Sequence, residues 1–149
     1  MKRLLIIAVA LVVLLGMSFV VARWLNSDTA ERAQVRGLLE AQVRGDAGAM
    51  LRRLEGCEAA CAAIVRRNAE QLRGHGELKI ALYQSQTAHA LASRTKYTRV
   101  VWFTPDRIKR GDTRVQCVLV RRSGNVFAGM TVSLLRVTAS IDREGSCPS

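Results

Sequence analysis

The chain carries an unbroken apolar run from Leu4 to Ala22, nineteen residues in which Ser18 is the only polar side chain. As a helix the run is about 28 Å long, close to the roughly 30 Å of a bilayer's hydrocarbon layer. Residues 1–25 therefore read as a transmembrane anchor or a signal peptide. As an anchor, Lys2 and Arg3 keep the N-terminal side in the cytoplasm, and Arg23 and Trp24 flank the far interface. That makes a single-pass protein of the cell membrane with its domain outside. As a signal peptide, Leu4 to Leu15 is the apolar core, Gly16 breaks the helix and cleavage follows Val20-Val21-Ala22. That makes a secreted protein. Both readings put residues beyond about 23 outside the cytoplasm.

Asn26-Ser27-Asp28 opens a short polar linker, residues 26–30. Asp28 with Glu31 three positions later has the spacing of a capping box at the start of a new helix. Val35, Leu38, Leu39 and Val43 then repeat at helical spacing up to Gly45, and Asp46 can cap a short second helix carrying Met50, Leu51 and Leu54. A third helix, from about Cys57 to Arg73, puts Cys61, Ile64, Val65, Asn68 and Leu72 on one face. From Leu78 the period changes to two. Leu78, Ile80 and Leu82 alternate with Lys79, Ala81 and Tyr83, which predicts a strand. Further strands are predicted over Ala88 to Ala92, Tyr97 to Thr104, Thr113 to Arg122 and Val126 to about Ile141. Ser123-Gly124-Asn125 is the last turn, and Gly129 is the candidate bend in the last strand. Helices followed by strands make the fold α+β: an N-terminal transmembrane or signal helix, then three helices packed on a curved antiparallel sheet of four to five strands. The extracytoplasmic unit is residues 31–145.

The net charge is +11, and subtracting Lys2 and Arg3 leaves +9; 19 of the 23 cations are arginine. Such a domain is drawn to anionic lipid or to polyanionic wall polymers. The pairs Arg52-Arg53, Arg66-Arg67 and Arg121-Arg122 are dispersed, so specific nucleic-acid binding is not expected. Outside the cytoplasm the four cysteines, Cys57, Cys61, Cys117 and Cys147, read as two disulfides with three possible pairings. The i, i+4 spacing of Cys57 and Cys61 favours that pair and leaves Cys117 with Cys147. A metal site would draw on Cys57, Cys61, His75 and His89, a weaker reading because each histidine stands alone; no metal or other cofactor is expected.

The stretch Leu38-Leu39-Glu40-Ala41-Gln42-Val43-Arg44-Gly45-Asp46-Ala47-Gly48-Ala49-Met50 resembles the first helix, Gly-Asp break and short second helix of the nuclear transport factor two-like superfamily, also called ketosteroid-isomerase-like. Val115-Gln116-Cys117 and the late Cys147 are similar to exported or membrane-anchored actinobacterial members. The resemblance spans about residues 28–141 and implies a cone-shaped α+β fold. Catalytic members of that superfamily use an Asp base and a Tyr or acidic donor inside the cone. Here the only acids between Lys79 and Val137 are Asp106 and Asp112, both in a connection, so no catalytic residue carries over. Members with a single span occur as assembly subunits of secretion systems and beside lipid importers. The resemblance thus implies a non-catalytic interaction or assembly domain, with another membrane or envelope protein as partner. The alternative is a binder of a small hydrophobic ligand, a lipid or wall precursor, in a cavity lined by Tyr83, Trp102, Phe103 and Phe127. An isomerase or dehydratase ranks below both.

Overall fold

The structure is a computed structural model. It describes the backbone of residues 2–87, 93–108, 112–125, 129–142 and 144–148, and the side chains of these except 23–27, 107, 108 and 125. Helix α1 runs from Lys2 to Val43, followed by α2 (Ala47–Arg53), α3 (Ala59–Gln71), strand β1 (Lys79–Ser85), β2 (Arg94–Phe103), the single turn α4 (Pro105–Ile108), β3 (Arg114–Asn125) and β4 (Gly129–Val137). The four strands form one open antiparallel sheet in the order β1-β2-β3-β4. The fold is α+β. The strand expected over Ala88 to Ala92 lies outside the described residues.

The helix does not restart at Asp28. α1 passes unbroken through Gly16 and through residues 26–30, for 42 residues. Ending one helix and opening another would orphan four carbonyls and four amides and require a second nucleation, whereas each further residue only adds a hydrogen bond. No proline interrupts the stretch. The linker is therefore a change of composition inside one helix, and Asp28 and Glu31 are interior residues with other partners. The helix stops where expected. Gly45 takes φ +75°, a left-handed conformation that glycine adopts without a Cβ clash. Asp46 then caps α2, accepting from the Ala49 amide at 2.8 Å.

The predicted apolar faces meet in a single core. Val35, Leu38, Leu39 and Val43 of α1, Met50 and the adjoining Leu54, and Cys61, Val65 and Leu72 are buried with Val100, Trp102, Val118, Val120 and Leu134 of the sheet. Leu54 and Glu55 cover part of the outer edge of β4, with the Glu55 amide donating to the Leu134 carbonyl at 2.7 Å.

The alternation of β1 is interrupted, and the expected last turn is displaced. In β1 the partners of Ile80 and Leu82 are Trp102 and Val101, so Ala81 is an extra residue, a bulge. Because side chains alternate with period two, one extra residue exchanges the faces beyond it. Leu82 turns outward, 41% exposed, and Tyr83 turns inward. At the other end, Ser123, Gly124 and Asn125 are not the turn; they pair with Thr131, Met130 and Gly129 as the last rungs of the β3–β4 ladder. Gly124 has φ +101°, and a Cβ there would lie 2.2 Å from the Gly129 carbonyl oxygen, so the backbones approach as only glycine permits. Gly129 begins β4 instead of bending it. β4 ends at Val137, and Ile141 returns to the sheet only as an isolated bridge to Val115.

Candidate functional site

The most chemically distinctive region is where α1 first meets the sheet. Glu31 lies on the α1 face that carries Val35, Leu38 and Leu39, and it is completely buried. Its carboxylate accepts from five donor atoms. Oε1 takes the Tyr83 hydroxyl at 2.8 Å and the Thr98 hydroxyl at 2.7 Å. Oε2 takes the Thr87 hydroxyl at 2.7 Å, Arg122 Nε at 2.8 Å and Arg122 Nη2 at 2.5 Å. Arg122 is also fully buried, and its Nη2 reaches Asp28 Oδ1 at 2.5 Å. Ser85 and Thr87 bond to each other through their hydroxyls at 2.9 Å. One helix and all three neighbouring segments of the sheet thus converge on one carboxylate.

The electrostatics follow from these partners. Burial alone would push the Glu31 carboxyl up, but hydrogen bonds from Thr87, Thr98, Arg122 and Ser85 outweigh it and hold the group below the ordinary carboxylate value. Burial would likewise lower Arg122, and the bonds to Asp28 and Glu31 reverse that, so the guanidinium stays charged. The Tyr83 phenol is pushed far up by burial and by the Glu31 charge, which keeps it a hydrogen-bond donor. A general base needs a lone pair aimed at substrate and a pKa near the working pH. Glu31 has the opposite arrangement, ionised and surrounded by donors.

A second polar contact lies farther along α1. Gln42 and Gln116 are both buried and exchange amide hydrogen bonds of 2.8 and 3.2 Å. Trp102 Nε1 donates to Gln116 Oε1 at 2.8 Å. Gln116 Nε2 and Asn68 Nδ2 both donate to the Thr138 carbonyl, at 3.1 and 2.9 Å.

Beside the ionic cluster a pocket of about 500 Å³ opens between α1 and the edge strand β1, lined by Thr29, Arg32, Arg36, Ile80, Leu82 and Tyr83 among others. The Arg32 guanidinium carbon sits 4.9 Å from the centre of the Tyr83 ring. Arg36 is shared between Glu40 at 3.2 Å and Glu77 at 3.8 Å.

Of the residues expected to line a cavity, Tyr83 reaches this pocket, but Trp102 is buried in the core and fills it. Phe103 ends β2, half-buried, and Phe127 lies outside the described residues. The disulfides are Cys57–Cys61, with Cα atoms 5.3 Å apart, and Cys117–Cys147, at 5.7 Å. Cys57 precedes α3 instead of beginning it; Glu58 is the extended N-cap. The sulfurs that a metal at Cys57 and Cys61 would require are joined to each other. His75 is 96% exposed beside Asp106, and His89 is outside the described residues. Lys2, Arg3, Leu4 and Ala22 are all exposed along the first half of α1, while the side chains of Arg23 and Trp24 are not described.

Sequence reasoning sought a buried acid on the strands and missed the one that α1 supplies. Two signals were available. Glu31 precedes Val35, Leu38 and Leu39 by four, seven and eight residues, which places it on the core stripe. Gln116, Val118, Val120 and Arg122 alternate along β3, which places both polar residues on the inward face. No protein-family model, no curated protein and no solved structure matches this chain.

Proposed function

We propose that this protein is a single-pass membrane protein, N-terminus in the cytoplasm, whose disulfide-bonded domain outside serves as a non-catalytic interaction or assembly module of the nuclear transport factor two-like type. One observation carries the reading: a single helix is both the apolar span and the first core element of the domain. The helix continues through Val20 to Ala22 into the segment that packs in the domain's core. Two disulfides fit the oxidising side of a membrane. The saturated, ionised Glu31 speaks against acid–base chemistry at the one buried carboxylate that touches the sheet's inner face among the described residues.

A second reading rests on the pocket between α1 and β1. Arg32 and Arg36 beside Ile80 and the exposed Leu82 suit a small anionic amphiphile, such as a lipid or a wall precursor. Membrane extraction and cross-linking separate these readings. The module reading expects the intact chain in carbonate-washed membranes, its domain cut by protease added to spheroplasts, and one cross-linked envelope protein. A processed chain beginning near Arg23 in the medium overturns the anchor. A lipid-like mass retained in native mass spectrometry and lost in Arg32→Glu moves the conclusion to the ligand.

A further inference from the structure

We infer that the β2/β3 end of the sheet, through the Arg94 and Lys96 cations, rests on anionic lipid headgroups of the outer leaflet, so that the domain lies against the membrane and not above it on a stalk. This rests on the reading of α1 as a retained span. The Thr98 hydroxyl is bonded to Glu31, so β2 and α1 are level there. Gln42, farther from the span, is bonded to Gln116, which pairs with Val100. Along β2 the direction from Val100 through Thr98 to Arg94 is therefore the direction toward the membrane.

From Glu31 back to Ala22, the end of the apolar run, the helix covers about 14 Å. From Thr98 to Arg94 an extended strand covers about 13 Å. A strand aligned with the helix puts Arg94 level with Ala22; an oblique one leaves it several ångströms short. The headgroup layer is about 5–8 Å deep on each side, so both cases place the Arg94 and Lys96 charges in or on it. The neighbouring rung agrees: Ser93 Oγ accepts from the Gly124 amide at 3.0 Å, so this end of β3 descends with β2.

The chemistry of this end fits a negative surface. Arg94 and Lys96 share the sheet face of Thr98, the face turned to α1, and both are exposed. Neither has a carboxylate within 4 Å among the described residues. Asp28 and Glu55, the acids nearest this end among the described residues, are already bound to Arg122 and to Arg121. Glu77, Asp106 and Asp112 stand at the opposite end, next to the Lys79–Phe103 and Trp102–Arg114 rungs.

Lysine footprinting tests this without altering the protein, because Lys96 has an internal control in the exposed Lys79 at the far end of the sheet. The full-length chain is placed in nanodiscs of phosphatidylcholine alone or with one-third phosphatidylglycerol, and acetylation of each lysine is followed by mass spectrometry. Lys96 is expected to react about fivefold more slowly in the anionic discs, the factor that about 1 kcal/mol per cation at such a surface implies. Lys79 should change by less than about twofold, and half-molar salt should abolish the difference. Arg94→Glu should weaken the slowing at Lys96. Equal slowing of Lys96 and Lys79, or none at either, in a chain that resists carbonate washing overturns this inference and leaves the anchor standing. A chain stripped from the bilayer by carbonate overturns both.

Discussion

Around Glu31 the contact between α1 and the sheet is ionic; around Gln42, eleven residues on, it is made by neutral amides. Both are buried, and both tie the same helix to β3, through Arg122 in the first case and Gln116 in the second. They differ in what an error would cost. An amide pair that loses one member leaves polar atoms unsatisfied, whereas an ion pair that loses one member leaves a bare charge in a medium of low polarisability. The ionic contact is the one next to the apolar N-terminal half of α1, where it sets the direction in which the helix leaves the domain. There a contact with one acceptable geometry (five donor atoms on one carboxylate) holds the stem more definitely than apolar packing, which tolerates sliding. The neutral contact sits deeper, where Trp102, Val100 and the α3 residue Asn68 already surround it.

Arg122→Met disrupts the ionic contact most severely. It strands Glu31, and the expected loss is about 3–5 kcal/mol of folding stability in urea titrations of the detergent-solubilised chain. Adding Glu31→Met should recover part of that loss; a double variant less stable than the single one would mean that the pair is not the source. Gln116→Leu should cost less, about 1–3 kcal/mol, because it orphans only the Gln42 amide and the Trp102 N–H. Its loss should be the same at pH 7 and pH 5, since no member of that contact titrates there. The smallest effect is the acid dependence of the wild-type chain. The folded-state pKa of Glu31 lies below its ordinary 4.5, so its contribution is complete above that value and is lost as pH falls through the folded pKa. Urea midpoints should therefore decline below about pH 4.5; Glu31→Gln should flatten the decline and Gln116→Leu should preserve it. An equal decline in Glu31→Gln would assign the acid sensitivity elsewhere.

Much of the architecture was legible. The apolar faces Val35-Leu38-Leu39-Val43 and Cys61-Val65-Leu72 could be read because helical period and burial coincide on them. The Gly45-Asp46 break could be read because a left-handed C-terminus and a side-chain N-cap are local chemistry. The expected linker failed for a related reason. Asp28 and Glu31 have the spacing of a cap, but spacing does not say whether a helix is already running, and an uninterrupted helix has no use for one. The bulge at Ala81 was not legible, because one extra residue has no local signature among alanines, yet it reverses the faces of everything beyond it.

By itself, the sequence determined the elements whose causes are local: an apolar span of bilayer length, helix starts and stops, alternating strands, and cysteines suited to an oxidising compartment. Only the tertiary structure decided the partners. Glu31 and Arg122 are ninety-one positions apart, and Gln42 and Gln116 seventy-four. A polar residue on a core stripe announces that it needs a partner, but which one it meets depends on the strand register and on a single bulge. Those are settled by the packing of the whole core, not by any short run of residues.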